Sequence, residues 1–348
     1  MKTLQRIGFA CKYMHTDQTQ KKKILEELQR PFNTRSTTVQ WLNRQAVDVA
    51  ETRLWDIMVH NIQSYYNLVE YVGALPNALK MLRLGSDCLP VYTHAQWSYF
   101  WKREDVRAYC AKELAHVGTL ARMLDVRLSF HPGQFTVLAS DNPDIVDRSI
   151  EEFEYHADLI RWMGYGKTFQ DFKCNVHISG RLGPAGIISA IKRLSPEARN
   201  CITIENDENK WGIEHSLELE KHCALVLDIH HHYCREAGEY MLPTDDRFKR
   251  VIDSWRGVRP AIHYSYSREE WVGHVPTNDK PDWSKLLERG YKKGKMRAHS
   301  DWYPNNAAND WALSFLEYSD IMCESKMKLL ASKELYEYAI KTEVLCAD

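Results

Sequence analysis

Residues 201–206 read C-I-T-I-E-N, a short apolar run that ends on a carboxylate, Glu205. Such a run is what a strand buried on both faces looks like. A carboxylate in that setting is costly unless positive charge or a metal meets it. The same event recurs along the chain. R-L-S-F-H (127–131) closes on His131, and N-V-H-I-S (175–179) carries His177. L-V-L-D-I-H-H (225–231) carries Asp228 and His231, P-A-I-H-Y-S (260–265) carries His263, and S-D-I-M-C-E-S (319–325) carries Glu324. Parallel strands that deliver imidazoles and carboxylates at one end describe an α/β sheet or barrel with a multi-metal site at the strand C-termini.

Eight segments have this character: Arg6–Ala10, Met81–Ser86, Arg127–His131, Asn175–Ser179, Ile202–Asn206, Leu225–His230, Ala261–Ser265 and Asp320–Glu324. Helical patterns separate nearly all of them. Val39–Tyr71 has room for two helices, and Glu104–Leu124 reads as one amphipathic helix. Asp141-Asn142-Pro143 opens Asn142–Trp162 with proline in the first turn, and a last helix spans roughly Lys326–Ile340. Eight β/α alternations predict a single (β/α)8 TIM barrel over residues 1–348, a size above the typical ~250 residues of that fold. An open doubly wound sheet fits less well. At about 4.8 Å per strand it would leave ligand candidates on the third to eighth strands tens of ångströms apart. The stretch Ser267–Trp302 reads as one long irregular loop with a functional role.

The bulk numbers set outer limits. At 44% hydrophobic and 27% charged the composition is that of a soluble globular chain. No apolar stretch is long enough to span a bilayer, and the N-terminal residues lack a sustained apolar region, so no secretory signal or membrane association is expected. Nine cysteines lie singly with no C-x-x-C pair, which predicts free thiols and a reducing, cytoplasmic location. The formal net charge of −1 gives no bulk case for nucleic-acid binding; a local basic surface would be needed. Lys21–Lys23 reads as a solvated face. Lys292, Lys293, Lys295 and Arg297 are balanced between a solvated loop and a DNA contact, because they run directly into His299.

A lone histidine is usually structural or solvated. Several at the same end of separate strands are not, since a shared structural explanation would bury charge repeatedly without partners. Imidazole and carboxylate ligands suit divalent ions that activate water and meet phosphate charge, as phosphodiester hydrolysis requires. Glu205 is the natural bridging carboxylate. Asp228 and His231, at D-x-x-H spacing, are expected on the strand and just past its end. His60, His116, His215 and His222 fall in helical contexts without function. Of His230 and His232, one is expected to fill core space and the other to face solvent. His94 is evenly balanced between a phosphate or metal contact and a bland role.

Further motifs extend the set: R-I-G-F-A (6–10), N-T-R-S (33–36), L-R-L-G-S-D-C-L-P (82–90), S-F-H-P-G-Q-F (129–135), V-H-I-S-G (176–180) and I-E-N-D (204–207). D-I-H-H (228–231), I-H-Y-S (262–265), H-S-D-W (299–302) and D-I-M-C-E-S-K (320–326) complete it. In this order they resemble the UV damage endonuclease (UvdE) family, relatives of endonuclease IV among the xylose-isomerase-like TIM barrels. The resemblance implies that His131, His177, Glu205, Asp228, His231, His263, His299 and Glu324 hold two or three divalent ions, manganese first, with zinc or magnesium as alternatives. Glu205, Asp228 and Glu324 would carry the catalysis. It further implies a DNA-repair hydrolase that incises damaged double-stranded DNA immediately 5′ to ultraviolet photoproducts and other lesions. The products would be 3′-hydroxyl and 5′-phosphate ends, and a monomer is expected.

By the same resemblance, Gln134 and Phe135 would wedge into the stack at the lesion, where unstacking costs least. Phe9 would stack on DNA, Asn33 and Arg35 would contact its backbone, and His94 remains a candidate contact. One departure stands out. Family members often carry a lysine two residues before the histidine of the seventh strand, and here that position is Ala261. Tyr13 also replaces a residue that is often a polar amide. Two rival readings stay open: a metal-dependent sugar isomerase or epimerase on the same barrel, and a damaged-DNA binding protein without catalysis.

Overall fold

Short apolar runs that alternate with amphipathic helices bury both strand faces only if helices cover one face and the strands themselves close over the other. The computed structural model, which describes residues 4–346, has this arrangement. Its strands are β1 Ile7–Ala10, β2 Met81–Arg83, β3 Arg127–Phe130, β4 Lys173–His177, β5 Ile202–Glu205, β6 Ala224–Val226, β7 Ala261–Tyr264 and β8 Asp320–Cys323. All eight belong to one sheet in the order β6-β5-β4-β3-β2-β1-β8-β7, with every pairing parallel. Just beyond the end of β6, an isolated parallel bridge joins Asp228 to His263, and the His263 N–H donates to Leu227 O at 3.0 Å, so β6 and β7 close the ring. The TIM barrel expected from the sequence is the fold.

Alternation sorts each strand into a lumen face and a helix face. On β4 the lumen face carries Lys173, Asn175 and His177; on β5 it carries Thr203 and Glu205. On β1 it carries Gly8 and Ala10. A Cβ at Gly8 would lie 2.6 Å from Met81 Cγ on the neighbouring strand, so only glycine fits there. The floor of the barrel is ionic. Asp320, fully buried, accepts from Arg259 Nε at 2.7 Å and from Arg127 at 2.6 Å, and also from the Arg6 backbone N–H at 3.0 Å. Outside the strands, a continuous apolar core joins them to the helices, with Phe130, Phe153, Phe172, Phe248 and Phe315 fully or almost fully buried.

Most predicted helices form close to their expected bounds: Glu104–Met123, Pro143–Trp162 (capped by the Asn142 side chain) and Lys328–Lys341. The segment 39–71 resolves into a short helix Val39–Leu42 and a long one Val47–Gly73. Two expectations need correction. First, β6 ends at Val226, so Asp228 lies just beyond the strand and not on it, while His231, past the strand end as expected, sits in the first turn of a helix, Ile229–Arg235. The cause is the Asp228 carboxylate, which caps that helix by accepting from the His231 N–H at 2.7 Å. Second, 267–302 is a long loop but not irregular throughout. It folds into three short helices, Glu269–Val272, Trp283–Glu288 and Lys293–Met296, pinned by the buried side chains of Val272, Trp283, Leu286 and Met296. No described helix is long and apolar enough to cross a membrane, and all nine cysteines are free. The expected single domain reaches residues 1–3 and 347–348, which lie outside the described residues.

Candidate metal centre

The strand ends bring most of the expected ligands within reach of one another. Glu205, last in β5 and fully buried, is the hub. Its Oε2 lies 3.1 Å from His263 Nδ1, 3.3 Å from His131 Nε2 and 3.8 Å from His177 Nε2, while its Oε1 lies 3.3 Å from His231 Nδ1. Among the described residues, three groupings have ligand atoms within 4.8 Å of one another, and Glu205 belongs to all three. They are His131–Glu205–His263, His177–Glu205–His231 and Glu205–Asp228–His263–Glu324. His299 lies at the edge, in none of these groupings, with its ring centroid 6.3 Å from that of His231.

Neighbouring groups fix how these side chains point. Nδ1 of His131, of His231 and of His299 each lies within hydrogen-bond reach of a backbone carbonyl: Pro132 at 2.9 Å, Asn206 at 3.0 Å and Glu324 at 3.1 Å. Assigning the ring proton to Nδ1 in all three leaves Nε2 with a free lone pair for a ligand. Asn175 donates to Glu205 and accepts from the Thr203 hydroxyl at 2.7 Å, which holds the hub carboxylate in place. Arg83 pairs with Glu324.

The atoms left over test whether a metal fits. Glu205 Oε1, Asp228 Oδ2 and His263 Nδ1 are buried and have no hydrogen-bond partner among the described residues. Orphaned groups of this kind are rare in folded proteins because each forfeits its solvation. A borderline divalent cation would satisfy all three, and the mixed nitrogen–oxygen donor set suits zinc or manganese better than magnesium, which takes oxygen ligands.

The electrostatics agree with crowded charge. Burial alone would raise the Glu205 carboxyl, but His263, His177 and a hydrogen bond from His131 hold it well below the usual range. Burial also opposes ionisation of Glu324, and Arg83 and His263 outweigh it. Asp228 moves the other way: burial, with Glu205 and Glu324 nearby, pushes it well above the ordinary value. Burial lowers His263 to about 4 against the pull of Glu205. His231, although buried, is raised to about 9 by Asp228, Glu205 and Glu208.

The residues expected at a DNA surface divide. Phe135 is 85% exposed and Gln134 is exposed beside it, on the loop after His131. That loop and the one after Glu205 enclose a cleft of about 220 Å³ lined by Gly133, Gln134, His177, Asp207 and Glu208. Phe9 must be corrected: it is 1% exposed, on the helix face of β1, and cannot stack on DNA. Asn33 is occupied at both ends of its amide, accepting from Tyr13 N–H at 2.8 Å and donating to Tyr13 O at 3.0 Å, so it braces a loop. Tyr13 itself is buried against Phe32 and Tyr71. Arg35 is half-buried, its backbone held by Asn61. His94 is half-buried, and its Nδ1 accepts from Gln96 N–H at 3.3 Å. His230 fills core space between Ser265 and Ser267, and His232 is buried as well, contrary to the expectation that one of the two faces solvent.

Sequence reading missed Lys173. It enters the lumen at the start of β4 and is almost fully buried, with Nζ 2.7 Å from His263 Nε2. Burial pulls its amine down to about 7, partly opposed by Glu205. A charged residue in the apolar run K-C-N-V-H, four before His177 and therefore on its face, was the available signal.

The model of the family described as UV-endonuclease UvdE matches residues 5–339. A UV DNA damage endonuclease of Clostridium perfringens is 23% identical over 270 residues, covering 75% of this chain and 58% of its relative. The chain thus spans less than two thirds of that protein's length. Among solved structures, that of SacUVDE superposes with a TM-score of 0.71 at 20% identity, covering 98% of this chain and all of the other. Endonuclease IV from Thermus thermophilus gives 0.52 at 12% identity, covering 81% of this chain and 95% of the other.

Proposed function

The chain belongs to the UV-endonuclease UvdE family, and on that footing we propose that it is a metal-dependent DNA-repair endonuclease. As a single-domain, monomeric, intracellular enzyme it acts on damaged double-stranded DNA. It incises the backbone immediately 5′ to ultraviolet photoproducts and other lesions, leaving 3′-hydroxyl and 5′-phosphate ends. The observation that carries the reading is the buried Glu205 carboxylate, shared by three ligand groupings and surrounded by orphaned donor atoms.

His131, His177, Glu205, Asp228, His231, His263, His299 and Glu324 would hold two or three divalent ions, manganese first. When bound, such ions activate water at neutral pH and neutralise charge developing on a phosphate. The chain's own groups do the rest. Glu205, kept ionised and held by Asn175, is the carboxylate common to the groupings. Arg83 orients Glu324 and brings fixed positive charge to the side of the site where Glu324 lies. Asp228 ties the helix Ile229–Arg235 to the strand end and so sets the place of His231. At the rim, Phe135 and Gln134 meet the duplex and insert where a lesion has weakened stacking.

A duplex with one defined photoproduct tests the proposal. Chelated protein resupplied with manganese should nick one strand once, immediately 5′ to the lesion, leaving an end that a ligase or polymerase accepts. Failure to nick with any divalent ion would refute it.

A further inference from the structure

A buried lysine normally has a carboxylate beside it, because an unpaired ammonium loses its hydration for nothing. Lys173 is 3% exposed, yet no carboxylate oxygen among the described residues lies within 4.0 Å of its amine. Its hydrogen-bond partner is the imidazole of His263, at 2.7 Å. That imidazole is fully buried. Its other nitrogen, Nδ1, faces Glu205 Oε2 at 3.1 Å and Glu324 Oε1 at 3.2 Å without a hydrogen bond of its own. The two ring nitrogens therefore have different tasks: with the ring proton assigned to Nε2 and donated to the lysine amine, the Nδ1 lone pair is left for an ion among the carboxylates.

We propose that Lys173 is a positioning residue of the metal centre, reaching across the lumen from β4 to fix the ring of His263 with Nδ1 directed at the ion site. Among the described residues Lys173 makes the one hydrogen bond to that ring, and a half-turn about the Cβ–Cγ bond, which puts Cδ2 and Cε1 where Nδ1 and Nε2 stand, would lose it. The lumen register explains why the lysine comes from the far strand. Position 261 lies two residues before His263 on the same face of β7, and alanine there has no group that reaches the ring. Partners that orient a ligating imidazole typically change metal affinity by about 10–100-fold when removed.

This inference rests on the metal centre proposed above, and direct metal binding separates the two. Wild-type and Lys173→Met proteins are stripped of metal and titrated with Mn2+ by calorimetry, and with Co2+ by its visible absorption. The expected result is a loss of about 10–100-fold in affinity for one ion with a changed Co2+ spectrum. The metal-free variant should stay folded with a urea midpoint close to that of wild type, because replacing a buried amine by an apolar side chain of similar length offsets the loss of its hydrogen bond to His263. A merely structural lysine would give the opposite, a destabilised or unfolded metal-free protein, and either outcome overturns the proposal. So does unchanged affinity. In Lys173→Met/Ala261→Lys, an amine supplied from β7 should recover the lost affinity, and failure to recover it also counts against the proposal. If wild type itself takes up no ion, the metal centre falls and not merely the role of Lys173.

Discussion

Truncating Phe135 to alanine separates two incompatible roles for that ring. Packed in a core, a phenylalanine contributes about 3–5 kcal/mol that alanine loses. At 85% exposure Phe135 has almost none of that to lose, so folding stability should change by no more than about 0.5 kcal/mol. Binding is another matter. A phenylalanine offers on the order of 200 Å² of surface, nearly all of it free here, and at ~25 cal/mol per Å² full insertion into a base stack would gain roughly 4 kcal/mol. Ordering the ring and opening the stack offset part of that gain. The net, in line with base–aromatic stacking, is about 1–3 kcal/mol, or roughly 5–150-fold in affinity. Fluorescence anisotropy with duplexes that differ only by one abasic site or photoproduct measures it. Phe135→Ala should weaken binding to the damaged duplex and leave the intact duplex nearly unaffected. An equal loss on both duplexes, or a stability loss of core size, would refute the insertion argument.

Three other perturbations probe different parts of the molecule. Glu205→Gln keeps the shape of the hub and removes its charge; it should abolish nicking and lower Mn2+ uptake while lesion-duplex binding persists in a gel shift, and a variant nicking at the wild-type rate would contradict the shared-carboxylate role. Asp320→Asn leaves Arg127 and Arg259 without their buried counter-charge and should cost about 3 kcal/mol in urea denaturation with metal stoichiometry unchanged. His156, fully buried, is lowered by burial from 6.5 to about 4, so between those values the unfolded chain binds a proton that the folded one does not. Its contribution is complete above pH 6.5 and is lost as the pH falls, by about 2 kcal/mol between pH 7 and pH 5. In His156→Gln the stability–pH profile should be flatter by that amount, and an unchanged slope would show that His156 is protonated in the fold.

Much of the site was legible because the barrel repeats one local rule. Apolar runs ending in His131, His177, Glu205, His263 and Glu324 announce strands whose C-termini gather at one mouth, and residue type then names the chemistry. The runs also fix parity wherever a ligand marks the lumen face: with His177 inside, Asn175 and Lys173 must be inside too. Phe9 escaped this logic for a definite reason. β1 carries no ligand, so nothing in R-I-G-F-A says which of its faces is the lumen, and Phe9 proves to lie on the helix side. The segment 267–302 was misread because its anchors, Trp283, Leu286 and Met296, are too few and too widely spaced to give a periodic signal, and packing alone reveals them.

The amino-acid order alone sets the barrel, the mouth at which the site lies, and the donor types gathered there, since periodicity and side-chain chemistry are local properties. Folding in three dimensions settles which donors share Glu205, that His299 stands at the edge, that Phe135 is bare while Phe9 is enclosed, and that an amine from β4 meets the imidazole of β7. Those are distances between strands far apart in the chain, and closure of the ring is what fixes them.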